Sequence, residues 1–298
     1  VYGVRLAIHD GEAHVVPWAL PLTQPVRDFW PVRTARAQAT AAAIDPPAAA
    51  FVLTDDAPYE LQFRQGGASV LNQVTVGERE PPTAVRAHCT AYQCCAVVLA
   101  ADARAVTAYW SHRLRVAAVV RLDEPARGVA VRLSDSSGSV DASLRALLAV
   151  AHDSRVQLYA VGASSTTVVH TVRVPDVAPV GGVALGCNAL MVYGESGRHI
   201  AAYDLLTSTL RHQCYRGWND AMYVQIGVDE DGLLCAGTEH GTAHVWRVGT
   251  GTAAAEGGPG GWWWGARSAF RVSTTDAGSA VACVAARLRN RVYVLACD

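Results

Sequence analysis

The chain has 298 residues, 51% hydrophobic and 17% charged, with a net charge of −1 from 26 acidic and 25 basic residues. That is ample for a packed core, and arginines scattered singly at a near-neutral balance argue against a dedicated nucleic-acid binder, which shows a basic excess or an Arg cluster. No run of 18 apolar residues predicts a membrane-spanning helix, and VYGVRLAIHD at the start lacks the apolar core and cleavage site of a signal peptide.

In chain order, VYGVRLAI, an Asp-Gly turn and AHVVPWAL predict a first hairpin. ALPLTQPVRDFWPVR, with three prolines, reads as an irregular connection or an edge strand. Residues 34–48 are Ala-rich, and a weak strand is expected around Gln38–Ile44 before Pro46 and Pro47. AAAFVLTD and YELQFRQ form a second hairpin around Asp56-Ala57-Pro58, followed by the strand ASVLNQVTV. CCAVVLAAD and AVTAYWSH form a third around Ala103-Arg104, with RVAAVVRL and RGVAVRL as the strands after it. RALLAVAHD and VQLYAVG form a fourth, followed by TTVVHTVRV. ALMVYGE and RHIAAYDLL form a fifth, followed by TLRHQCYRG. The sixth lies within Gly232–Val248, with strands Leu233–Glu239 and Thr242–Val248 about a His240-Gly241 turn, where Gly supplies the positive φ of a tight turn. SAVACVAAR and RVYVLACD make the seventh.

A large hydrophobe recurs late in each hairpin: Val16 or Trp18, then Phe63, Tyr109, Tyr159, Tyr203, Trp246 and Leu295. From Phe63 onward the spacings are 46, 50, 44, 43 and 49 residues. An all-β period of this length predicts a propeller of four-stranded antiparallel blades, seven in number, or six if the first strand closes the last blade. Residues 1–298 are read as a single domain, which can be part of a longer chain. Runs such as AVVLAA and ALLAVA fit strands covered on both faces.

GLLCAGTEHGTAHVWRV resembles the inner hairpin of a repeat of the WD-repeat (WD40-like) family of β-propellers, in which a Gly-containing turn leads to a strand ending in Trp-Asp. Here Trp246 is followed by Arg247, whereas Tyr203-Asp204 in the fifth unit keeps the Asp. Ala236 and His240 stand where the family often has a Ser/Thr and an Asp, and no Gly-His pair occurs. The resemblance is therefore to a divergent member whose blades rely on apolar packing. It implies a non-enzymatic scaffold or interaction subunit that binds partner proteins in an intracellular multiprotein complex. The order of the C-terminal half also resembles some substrate receptors of cullin-type ubiquitin ligases, although Leu206 stands where those receptors often have Arg. An RNA-associated propeller and a propeller enzyme with a central-channel site are the remaining alternatives.

Chemistry-bearing motifs are few. No GxSxG, P-loop, HExxH or GxGxxG occurs, so no catalytic residue and no cofactor is expected. Asp229-Glu230-Asp231-Gly232 lacks the alternating oxygen ligands of a calcium loop and reads as a polar turn. His240 and His244 fall in a turn and a strand and need not converge, and His9-Asp10 reads as turn chemistry. The eight cysteines show no CxxC spacing; His88-Cys89 with Cys94-Cys95 comes nearest to a metal cluster, and the expectation is reduced core thiols and no metal. All basic residues are Arg, so this chain offers no side-chain amine for acylation or Schiff-base chemistry. GGPGGWWWG supplies the partner-binding candidates Trp262, Trp263 and Trp264. Three consecutive side chains cannot all face one side of a strand, so the run either exposes an aromatic anchor for a partner or forms the outer strand of the sixth unit.

Overall fold

The computed structural model describes residues 2–9, 12–19, 26–32, 49–54, 58–64, 67–73, 82–89, 94–110, 115–133, 146–162, 165–186, 189–195, 199–205, 210–215, 223–228, 233–238, 242–248, 264–271, 282–288 and 291–297. These residues are all-β apart from one 3-10 turn at Pro175–Val177.

Strands β1 (Tyr2–His9) and β2 (Glu12–Ala19) pair alone. Five four-stranded sheets follow, each with its strands side by side in sequence order. The first holds β3 (Val26–Val32), β4 (Ala49–Thr54), β5 (Pro58–Arg64) and β6 (Gly67–Gln73). The second holds β7 (Ala84–Cys89), β8 (Cys94–Leu99), β9 (Ala105–Trp110) and β10 (Arg115–Arg121). In the third are β11 (Gly128–Leu133), β12 (Ala146–Ala151), β13 (Arg155–Val161) and β14 (Thr166–Arg173). The fourth comprises β15 (Val180–Leu185), β16 (Ala189–Gly194), β17 (His199–Asp204) and β18 (Leu210–Tyr215). The fifth comprises β19 (Tyr223–Val228), β20 (Leu233–Thr238), β21 (Thr242–Val248) and β22 (Trp264–Arg271). A last pair, β23 (Ala282–Leu288) and β24 (Arg291–Cys297), ends the series.

Phe63, Tyr109, Tyr159, Tyr203 and Trp246 each lie in the third strand of their sheet, so the aligned hydrophobes mark equivalent positions. Leu234 is opposite Trp246 in the hairpin that carries the WD resemblance. The proline-rich segment forms an edge strand, β3, with Pro31 opposite Ala50. An edge position tolerates a residue with no N–H to give to the ladder. The strand expected around Gln38–Ile44 lies outside the described residues.

By packing, the chain divides into two compact units: Val1–Val150 with Leu158–His170, and Ala151–Gln157 with Thr171–Asp298. In the first unit the second sheet serves two cores, because successive side chains of a strand point to opposite faces. Cys95, Val97 and Leu99 of β8, with Val106, Ala108 and Trp110 of β9, join Val129, Val131, Ala146 and Leu148 of β11 and β12. The intervening Ala96, Val98 and Tyr109 join Phe51 and Leu53 of β4, together with Val85 and Ala87 of β7. Both faces being covered, β9 is buried at all six positions, as a run of apolar residues without polar alternation requires.

In the second unit, β16 and β17 are the buried centre of the fourth sheet, with Leu190, Met191, Val192 and Ile200 at most 2% exposed. A register shift between Val180 and Gly182 places Gly181 against the neighbouring strand, where a Cβ would lie 2.8 Å from the Cα of Glu195. That contact is with backbone and cannot yield cheaply, so the bulge needs glycine.

The β8–β9 turn has a different backbone demand. Ala103 adopts φ of 57°, the left-handed region. The turn is held by Ala103 N donating to Ala100 O at 2.9 Å and by Arg104 N donating to Asp102 Oδ1 at 2.8 Å. The loop after β10 folds back onto it, with Ala126 N donating to Ala103 O at 2.7 Å. An alanine in this region costs about 1–2 kcal/mol; a glycine removes that cost and adds about 0.4–1 kcal/mol of unfolded-chain entropy. Ala103→Gly is therefore expected to raise the thermal midpoint slightly. A differential scanning calorimetry trace with a lowered midpoint would contradict this account of the turn.

Candidate interaction site

The first strands of the first two sheets meet through polar side chains rather than a hydrogen-bonded ladder. Asp28 Oδ2 on β3 accepts from Val85 N on β7 at 3.0 Å and from Arg86 Nη1 at 2.5 Å. The same Nη1 donates to Val85 O at 2.6 Å. The Arg86 guanidinium lies 4.7 Å from the centre of the Trp30 ring, within cation–π range, and Trp30 Nε1 donates to Ala87 O at 2.7 Å. These contacts satisfy the backbone groups of β7 that face away from β8 and would otherwise lack partners. Further along β7, His88 Nδ1 accepts from Leu133 N on β11 at 3.2 Å, which places the ring proton of a neutral imidazole on Nε2.

Chemically this is a clasp. Arg86 and Asp28 are 28% and 23% exposed at their side chains, so solvent reaches the ion pair and its attraction is modest. RDFW on β3 and Arg86 were not among the residues singled out from the sequence. A strand carrying an Asp and a Trp two residues apart, on one face, was the available signal.

A second feature lies at the far edge of the third sheet. β14 has one buried residue, Val172, and five consecutive exposed positions. Val168 and Val169 are 55% and 52% exposed. They occupy adjacent positions and so belong to opposite faces, which means that the strand projects beyond the cover that buries β12. Val119 of β10, also an edge strand, is 48% exposed.

Of the tryptophan candidates, Trp264 falls at an edge too. Trp264 begins β22, the last strand of the fifth sheet, opposite Val248. Trp262 and Trp263 lie outside the described residues, as do Asp229–Gly232 and the His240-Gly241 turn. His244 is within β21, opposite Ala236 and Ala269. Among the described residues no three His, Cys, Asp or Glu side chains are grouped to hold a metal ion, and no helix is long and apolar enough to cross a membrane.

No protein-family model matches the chain, and no curated protein matches it. Among solved structures the chain is similar to the crystal structure of Kluyvelomyces marxianus Hsv2, a WD40 β-propeller protein, with 11% identity and a TM-score of 0.40. The likeness covers 76% of this chain and 77% of that one. A superposition of that quality carries no argument about residues or function.

The clasp predicts an order of stabilities. Asp28→Ala removes the acceptor of the Val85 amide as well as the ion pair, and a buried donor left unmade costs about 1–3 kcal/mol. Arg86→Ala loses the partly exposed pair and a ring contact, each about 0.5–1 kcal/mol, and the donor to Val85 O, a carbonyl that tolerates under-satisfaction better than an orphaned N–H does. Urea unfolding is expected to show the larger loss for Asp28→Ala; an equal or larger loss for Arg86→Ala would contradict the assignment.

Proposed function

We propose that the chain is a divergent, WD-like β-propeller that acts without catalysis, as a scaffold or interaction subunit of an intracellular multiprotein complex. The observation that carries this reading is the exposure of β14, an edge strand with two adjacent valines in water in a sheet whose other strands are mostly buried. An edge strand offers backbone donors and acceptors to an extended partner segment, and the exposed β-branched side chains add apolar contact. The step from sheets to scaffold is otherwise by analogy with the resemblance at Gly232–Val248. On this reading the five four-stranded sheets are five blades. The end hairpins β1–β2 and β23–β24 give a sixth if they make up one blade together, and a seventh if each belongs to its own.

The test is affinity purification of the full chain beside a Val168→Asp/Val169→Asp variant. Wild type is expected to retain partner proteins, and the variant to lose them by about tenfold or more, the equivalent of about 1.4 kcal/mol. Surface changes of this kind move stability by about 0.5 kcal/mol, so its thermal midpoint is expected to stay nearly unchanged. Recovery of no stable partner from wild type, or of the same partners from both, would overturn the reading. A ligase adaptor among the partners would narrow the scaffold to a substrate receptor, and salt-sensitive RNA in place of protein would replace it.

A further inference from the structure

Among the described residues of the first unit, two links between first strands follow one pattern: a side chain accepts a backbone N–H from the next sheet. Asp28 Oδ2 of β3 accepts from Val85 N of β7, and His88 Nδ1 of β7 accepts from Leu133 N of β11. Of the two acceptors, only the imidazole belongs to a residue type that ordinarily changes charge between about pH 5 and 8. Because Nδ1 accepts, the proton of the neutral ring is on Nε2, and that atom is buried. A second proton can therefore go only to Nδ1. An imidazolium has two N–H donors and no acceptor, so the ring cannot be charged and hold Leu133 N at once.

The strands around His88 supply little to balance such a charge. β3, β4, β8 and β11 pack against β7. β4, β8 and β11 contain no Asp or Glu, and neither does β7 itself. Opposite His88 on β8 is Cys95, where burial pushes the thiol up to about 12, so that it stays neutral at these pH values. The next pair along the hairpin is Cys89 opposite Cys94. β11 has one charged residue, Arg132, a permanent cation that is buried and adjoins Leu133 in the chain. The acid of β3 is Asp28, which is engaged with Arg86 of β7; the other charged residue of β3 is Arg27. Leu133 is itself buried, so water does not readily replace the acceptor that its N–H would lose.

We propose that His88 is an acid-sensitive latch between the second and third sheets: on taking up a proton at Nδ1 it releases Leu133 N and lets β11 part from β7. The proton comes from solvent, and the hydrogen bond from Leu133 N is exchanged for an N–H bond on the ring. Acid favours parting, because the joined strands need the neutral ring and the parted strands accept either form. The latch is closed on the alkaline side of the transition and opens as pH falls. The link from Asp28 to Val85 N, made by a carboxylate, stays in place and keeps β7 on β3.

The test follows the full chain by NMR, with nitrogen-15 in histidine, leucine and valine, from about pH 8 to about pH 5. The Leu133 amide is expected to shift with the same midpoint as the His88 ring nitrogens. Its protection from hydrogen exchange, corrected for the intrinsic rate at each pH, is expected to fall by about tenfold, or about 1.4 kcal/mol in opening free energy. The Val85 amide, held by Asp28, is expected to keep its protection. His88→Asn sets an amide oxygen near the place of Nδ1 and has nothing to titrate, so it is expected to hold Leu133 across the whole range. A Leu133 amide unmoved while His88 titrates, a His88 ring that stays neutral until the whole chain unfolds, equal loss of protection at Val85 and Leu133, or the same loss in His88→Asn would each overturn the proposal. The wild-type comparison of His88, Leu133 and Val85 decides the matter even where the variant fails to fold.

Discussion

A four-stranded sheet covered on both faces is the constraint on which the rest depends. Most residues of a central strand must be apolar, and neighbouring residues must fit two different cores. In β8, Cys95, Val97 and Leu99 meet one core while Ala96 and Val98 meet the other. This accounts for the Ala- and Val-rich runs, for the third-strand position of the recurring aromatic residues, and for the placement of charge. In the first unit, the described ion pair between Asp28 and Arg86 joins first strands at a sheet edge rather than a sheet centre.

Function, on this account, is left to the two edges of each sheet. At the first-strand edge, a carboxylate, a guanidinium and an indole link β3 and β7 in place of a ladder. These groups are half-exposed and engaged with one another, so the clasp sets stability and geometry first. At the last-strand edge of the third sheet, β14 leaves two valines in water. Burial of such a pair by a partner is favourable at about 25 cal/mol per Å², and an added strand would satisfy the ladder groups that the edge leaves to solvent.

Much of the fold was legible in the sequence because hairpins are local. The strands Leu233–Thr238 and Thr242–Val248 follow from β-forming residues on either side of a glycine turn, and the spacing of Tyr109, Tyr159, Tyr203 and Trp246 follows from one four-stranded sheet per repeat. The edges were less legible. TTVVHTVRV reads as apolar as a central strand, and only its place at the end of the third sheet makes it exposed, since strand preference depends on tertiary neighbours. VRDFWPV, between prolines, was ambiguous because Pro31 is compatible with both a connection and an edge strand. The clasp was not legible at all: Asp28 and Arg86 are 58 residues apart and meet only when two sheets are set side by side. Of the tryptophan run, the described part is Trp264, at the start of the edge strand β22.

The central claim is that stability resides in sheet centres buried on both faces, with the outer strand left open. Native-state amide hydrogen exchange, resolved by peptide, tests it most directly, because protection reports the free energy of opening each segment. The account predicts the slowest exchange in β8, β9, β12 and β16, and markedly faster exchange in β14. Protection in β14 equal to that of β8 and β9 would contradict it.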